Sequence, residues 1–504
     1  MLLSQDSGLS NGGHVSGRHA RGPVSNDEAG VESSMESIPV HPLGVKPLGN
    51  QYFASGPLAR RALGHLGSLP DEMLLQLLEY LQQESLKSLG STCRFLYAFC
   101  QLDDLWKPLF LESVEGTSLP KWKGTWRSTL LQIPQEIATR IDCSNVFSDV
   151  LHRPFACANI VLKNHISGIP EANQIPRLDK LSYQDFAGSW SDKPFVLTDC
   201  VPSWPVYKEW TIEKLNKAYA NVEFRAEAVD WPFASYHEYM YKSRDESPLY
   251  LFDRKFAEKM NVEVGRDEGC AYWPPECFGE DLLKLLGQER PAHRWLIIGP
   301  ERSGSTFHKD PNATSAWNGV IQGSKYWLMF PPSVPQPPGV FVSEDSSEVT
   351  SPLSIAEYLL TFHAEARREA GCQEGICGAG ELLYVPSGWW HLVVNLEAGI
   401  ALTQNFVTNS KKHLSQVLSF LKDKPDQVTG FSKDIASPYE LFVERLREKE
   451  SGLLEEAFEE MERKNSSKKR RWEEAVGSKE ETESGGGGFS FGFGGDDLDE
   501  DEIP

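Results

Sequence analysis

The stretch FHKDPNATSAWNGVIQGSKYWLMFPP, residues 307–332, decides the fold. Two runs rich in β-branched and aromatic residues, NGVIQ and KYWLMF, read as strands, with Gly323 turning the chain between them. His308 and Asp310 stand two residues apart just ahead of them, and Lys325 is the one cation in the second run. On a strand, residues i and i+2 share a face about 7 Å apart along the chain, so a little twist brings an imidazole and a carboxylate to one point. Pro311 then stops the strand. A His-x-Asp pair is common by chance, and a lysine in an apolar strand ordinarily snorkels to water. The stretch becomes informative only with a third group from elsewhere.

Working outward, FVLTDCV, RWLIIG, ELLYVP, HLVVNL and IALTQNF repeat the same texture between residues 122 and 409, punctuated by Gly and Pro. Many short strands of this kind predict an all-β sandwich or barrel. Helical inserts are expected at 212–218, 235–244 and 352–370. Helices are expected again at 411–422 and 438–463, with apolar faces at Leu414, Val417, Leu418 and Leu421 and at Leu441, Phe442, Leu446, Leu453, Leu454 and Phe458. They pack on the barrel or offer a homodimer surface.

The N-terminal side reads differently. Residues 1–55 are Ser-, Gly- and Pro-rich, too poor in apolar residues to offset chain entropy, and are expected to be a disordered leader. From Leu66, LPDEMLLQLLEYL, LKSLGSTCRFLYAFC and LWKPLF predict short packed helices, the first opened by Pro70 with Asp71 and Glu72 at its positive end. A generic helical bundle fits the periodicity. The detailed pattern over residues 62–113 resembles an F-box, which implies docking on the Skp-type adaptor of a cullin ubiquitin ligase. Residues 114–160 connect it to the barrel region.

The tail from 464 to 504 is expected to be disordered: basic at KKRR (468–471), then Gly/Phe-rich, then acidic. KKRR fits a nuclear-import signal, giving an expected nuclear location with the cytoplasm as the alternative. The net charge of −22 resides in good part in that acidic end and argues against the whole chain lying on nucleic acid or an anionic membrane. With no run of eighteen apolar residues and no leader peptide, no membrane association is expected. Nine scattered cysteines read as reduced thiols; the gaps within Cys270/Cys277 and Cys372/Cys377 do not match a zinc knuckle.

The third group for His308 and Asp310 is His391, which the Pro/Gly turn of YVPSGWW delivers at the head of a strand. Two histidines and one carboxylate suit non-haem Fe(II) with open positions for oxygen and a co-substrate, although zinc would fit the nitrogens equally well. If Lys325 points inward beside Asn318 and Thr403, the three form a receptor for a small dicarboxylate.

Together, HKDPNATSAWNGVIQGSKYWLMFPP and GELLYVPSGWWHLVVNLEAGIALTQNF, with RDESPLYLFD and RWLIIGPERSGSTFHKD upstream, resemble the JmjC domain of Fe(II)/2-oxoglutarate oxygenases. The likeness is to the subgroup of the arginine demethylase and lysyl hydroxylase once described as a phosphatidylserine receptor. It implies a double-stranded β-helix (cupin or jelly-roll barrel) over residues 161–410, so that the fold class is mainly β with helical decorations, followed by helices at 411–463. It also implies iron on His308, Asp310 and His391, and 2-oxoglutarate held by Tyr250, Ser305, Asn318, Lys325 and Thr403. The family consumes 2-oxoglutarate and O2 to hydroxylate a substrate C–H bond; a side-chain alcohol persists, whereas a hydroxylated N-methyl collapses to formaldehyde. The expected substrate is a protein, a histone or an RNA-processing protein, oxidised at lysine or at a methylated residue. Against this stands a non-catalytic ligase adaptor whose barrel only recognises the target. An intact set of three ligands plus Lys325 and Thr403 favours the enzyme.

Overall fold

The computed structural model describes residues 38–480 apart from 115–119, 135–139, 228, 345–346 and 353. Two sheets build the barrel. The larger runs in the order Arg177–Leu178, Phe195–Leu197, Leu382–Val385, Ser315–Gln322, Gly399–Phe406, Arg294–Gly299, Leu251–Asp253, Glu223–Ala226, Val229–Pro232. The smaller runs Gln373–Gly378, Ser324–Phe330, Trp390–Asn395, Gly304–His308. All these pairings are antiparallel except the first, Arg177–Leu178 on Phe195–Leu197.

Period-two alternation sorts each strand into an inner and an outer face. Ala316, Val320, Leu383 and Val385 of the large sheet interdigitate with Trp327, Met329, Cys377 and Val393 of the small one, forming the barrel interior. The outward partners Tyr326, Leu328 and Phe330 are also buried, because the helix Ile355–Thr361 covers them. Both faces of Ser324–Phe330 are therefore dry, and any side chain in phase with Trp327 and Met329 enters the interior. Lys325 is in that phase. Gly323 carries the chain from Ser315–Gln322 in the large sheet to Ser324–Phe330 in the small one with φ +81°, and a Cβ there would lie 2.8 Å from the Ala398 carbonyl oxygen.

The helices Asp71–Glu79, Gln83–Gly90, Arg94–Phe99 and Trp106–Val114 enclose Leu74, Leu78, Leu86, Phe95, Phe99, Trp106 and Phe110. That core does not stop at the end of the module. Phe110 meets the Trp126 ring at 5.3 Å, and Trp126 lies 5.9 Å from Trp231 and 5.8 Å from Tyr239. The Trp126 indole N–H and the Tyr239 hydroxyl both donate to one oxygen of buried Asp245, at 2.8 and 2.7 Å. The module and the barrel thus share one hydrophobic cluster.

Order extends further at both ends than composition predicts. Residues 38–55, expected in the leader, are placed: Lys46 bridges to Phe147, Val45 is buried, and Leu48–Phe53 forms a 3-10 turn. Their apolar partners lie some hundred residues along the chain, beyond the reach of a local composition argument. The tail, expected to be disordered from 464, continues the helix Ser451–Glu480. Lys464 bonds Ser415 at 3.0 Å, and Glu460 pairs with Arg463 and Lys464 across one turn. KKRR lies on the backbone of this helix; residues 1–37 and the Gly/Phe-rich and acidic segments from 481 lie outside the described residues.

Leu414, Val417, Leu418, Leu421, Phe442, Leu446 and Leu454 are buried with Leu282, Leu283, Leu286 and Val407. Packing within the chain buries most of those apolar faces, with Leu441, Leu453 and Phe458 left partly buried. All nine cysteines are free thiols, with Cys270, Cys277, Cys372 and Cys377 buried. No described helix is long and apolar enough to cross a membrane.

Candidate active site

At one end of the barrel His391 pairs directly with His308 across the small sheet. His308, Asp310 and His391 each present a ligand atom, all within 4.8 Å of one another, and are the one such group among the described residues. The imidazole centroids are 4.1 Å apart. Each Nδ1 faces a backbone carbonyl, of Thr306 at 2.7 Å and of Trp389 at 3.1 Å. These bonds place the proton on Nδ1 and leave Nε2 as a lone-pair donor. Burial, and then the neighbouring His308, push the His391 pKa well below its ordinary value, so this ring is neutral.

Asp310 is the imbalance. Its Oδ2 is buried without a hydrogen-bond partner. Burial pushes its pKa up, opposed by His308 and by a hydrogen bond from Asn405. Two imidazole nitrogens beside a carboxylate oxygen without a partner form a site that a divalent cation satisfies, and the N2O donor set with open positions suits ferrous iron.

Lys325 lies 2% exposed inside the barrel, opposite Asn395 in register. Its Nζ donates to Tyr250 Oη at 2.6 Å and to Asn395 Oδ1 at 2.7 Å. Among the described residues it has no carboxylate partner, and burial pushes its pKa down to about 7. An ammonium held by two neutral groups is a receptor lacking its anion. Thr403 pairs with Asn318 on the facing sheet. The Thr403 hydroxyl donates to the Trp317 carbonyl at 2.8 Å, so its lone pairs stay free, and Asn318 Oδ1 is buried without a partner. An amide flip would turn that position into a donor.

Ser305 reaches the interior by an irregularity. Regular alternation would put it opposite in phase to His308. The pairing shifts instead: His391 faces His308, but Val393 faces Ser305, leaving one extra residue on the Gly304–His308 strand. This bulge places Ser305 in phase with inward Val393 and leaves Thr306 to orient the His308 ring through its carbonyl.

The sequence reading did not include Asn395, whose partner lies seventy residues away and whose role comes from cross-strand register. Its amide N–H in turn donates to Ser303 Oγ at 3.0 Å. Gly299 completes this base, since a Cβ there would lie 2.6 Å from the Tyr250 ring and 2.9 Å from the Asn395 amide nitrogen. Gly299→Ala is therefore expected to weaken 2-oxoglutarate binding at least about tenfold by displacing Tyr250 and Asn395 from Lys325. Calorimetric titration checks this, and unchanged affinity would contradict the tight packing.

Similarity to known proteins covers both the barrel and the N-terminal module. A cupin-like domain profile matches residues 189–412 and an F-box-like profile matches residues 66–112. An arginine-specific demethylase of Arabidopsis thaliana is 38% identical over 462 residues, covering 89% of this chain and 88% of that protein. A bifunctional arginine demethylase and lysyl-hydroxylase of Caenorhabditis briggsae is 34% identical over 261 residues, 49% of this chain and 64% of that protein. A 2-oxoglutarate and iron-dependent oxygenase of Danio rerio is 25% identical over 321 residues, 60% of this chain and 69% of that protein. The chain belongs to the cupin-like JmjC family of iron- and 2-oxoglutarate-dependent oxygenases and carries an F-box-like module at its N-terminal side.

Proposed function

We propose that this oxygenase acts on lysine or arginine side chains of a protein substrate, by hydroxylation or by removal of an N-methyl group. The observation that carries the reading is the grouping of two imidazoles with a carboxylate that has an orphaned oxygen, near a buried lysine that has no carboxylate partner among the described residues. His308, Asp310 and His391 hold the iron, and Lys325, with Tyr250, Asn318, Thr403 and Ser305, receives 2-oxoglutarate. When bound, iron would let 2-oxoglutarate and O2 supply the oxidation: one oxygen atom of O2 ends in the substrate C–OH that replaces a C–H, and the other in the succinate formed with carbon dioxide from 2-oxoglutarate. The protein's share is positional. Carbonyls of Thr306 and Trp389 fix the imidazole planes, Lys325 neutralises the distal carboxylate, and the dry interior excludes water. Incubation with ferrous iron, 2-oxoglutarate and lysine- or methylarginine-containing peptides, followed by mass analysis, tests the reading. A gain of one oxygen means hydroxylation, and methyl loss with formaldehyde means demethylation; neither product from any such peptide would sink it.

Residues 62–113 are proposed to dock a Skp-type adaptor. Leu66, Met73, Leu77 and Tyr80 are 45, 48, 49 and 86% exposed, an apolar face that the barrel leaves uncovered. Leu77→Asp is expected to reduce adaptor affinity by about 100-fold or more by placing a charge in that face. A pull-down of the full chain with the adaptor checks it, and undiminished capture would place the contact elsewhere. A nuclear location is proposed on KKRR alone, and replacing residues 468–471 by alanine in a fluorescent fusion tests it.

A further inference from the structure

Beside His308 opens a cavity of about 390 Å³, within the range of small-ligand clefts, walled by Ser305, Thr306, Arg302, Glu246 and Glu227. Its charged groups are not equivalent. Arg302 donates to the carbonyls of Asp245 and Glu246, at 2.9 and 3.3 Å. Glu246 is paired with Arg153 at 2.5 Å and accepts from Ser354 at 2.7 Å. Glu227 is exposed; its Oε1 accepts the Tyr250 N–H at 3.1 Å, and Lys107 attracts its carboxylate without forming an ion pair with it, so that no described cation is seated on Glu227.

The backbone shows that this placement is built. Ala226 pairs with Val229, so Glu227 sits in a two-residue hairpin connection, with φ +52°. Such positions are ordinarily filled by Gly, Asn or Asp, because a larger side chain is strained in the left-handed region. A glutamate kept there, tied to the residue whose hydroxyl touches Lys325, is an outlier at a functional cavity, which points to a role for its carboxylate.

We propose that Glu227 is a specificity-determining residue, accepting the cationic head of the substrate side chain as it enters the cavity beside His308. This rests on the lysine/arginine reading above and assigns its charge selection to one residue. A guanidinium or ammonium would complete a charge-assisted hydrogen bond that a neutral side chain of the same length leaves unmade. Glu246 and Arg302, already engaged, line the same cavity.

The test compares kcat and KM of the iron- and 2-oxoglutarate-loaded full chain on matched peptides whose oxidisable bond is kept, lysine against norleucine for hydroxylation and methylarginine against neutral N-methylcitrulline for demethylation. In Glu227→Gln, whose amide oxygen still accepts the Tyr250 N–H, the preference in kcat/KM for the cationic peptide is expected to fall about 10- to 100-fold, chiefly through KM. Glu227→Asp, which keeps the charge, is expected to retain most of it. Turnover of the cationic peptide with the preference unchanged in Glu227→Gln overturns the assignment alone. If the wild-type chain turns over neither peptide, the lysine/arginine reading fails and the assignment falls with it.

Discussion

Asp310→Asn is expected to make the metal-free protein more stable and, at the same time, to abolish both turnover and stabilisation by ferrous iron. The two effects share a cause. Asp310 buries an oxygen without a hydrogen-bond partner in a place where burial already disfavours its charge. Such an uncompensated group costs about 1–3 kcal/mol, and an amide of the same shape removes the ionic part of that cost. The same substitution deletes the anionic ligand that offsets the charge of a divalent ion, so the metal's contribution, worth several kcal/mol to the transition state, goes with it and turnover falls by roughly 10³-fold or more. Thermal melting with and without ferrous iron, read alongside product formation, separates this outcome from simple unfolding. A persistent iron-dependent rise in melting temperature in Asp310→Asn would show that the metal lies elsewhere.

Lys325→Met is expected to lower 2-oxoglutarate affinity by about 100-fold or more, since a charge-assisted contact to a carboxylate in a buried site contributes about 3 kcal/mol. Methionine fits the apolar wall and removes a buried ammonium that, among the described residues, Tyr250 Oη and Asn395 Oδ1 hold, so unliganded stability should rise. The pH behaviour makes the test sharper. The folded lysine titrates at about 7, below its ordinary 10.5, so between those values the unfolded chain binds more protons. Lys325 therefore opposes folding fully below pH 7, and its contribution improves as pH rises from 7 towards 10.5, by at most about 1.4 kcal/mol per unit. For binding the sign is opposite. A carboxylate beside Lys325 favours the protonated form, so affinity is level below about pH 7 and falls above it by up to about tenfold per unit. Calorimetry across pH 6–9 should show this slope in the wild type and none in Lys325→Met. An identical slope in both would assign the titration to another group.

Much of this site is legible in the chain because its parts are local signals. His308 and Asp310 share a strand end, and a Pro/Gly turn announces His391. Lys325 is visible as the one cation of an apolar strand, although its inward aim shows only once Trp327 and Met329 are seen to face the interior. What escapes is non-local. Asn395 gains its role from facing Lys325 in register, and Ser305 turns inward by one extra residue whose effect shows only against the partner strand. Residues 38–55 illustrate the same limit at the level of order, since their partners lie a hundred residues away.

The aromatic contacts of Phe110 and Trp126 with Trp231 and Tyr239 bear on how the two ends of the molecule can be dissected. Cutting away the N-terminal helices would strip a wall from a shared core and leave Trp126, Trp231 and Tyr239 facing water. A truncated protein that loses oxidation would therefore reveal a damaged fold before it revealed any dependence of chemistry on a ligase. Separating the two roles calls for single changes on the outward face of the Asp71–Glu79 helix, where a partner can be lost without opening the interior.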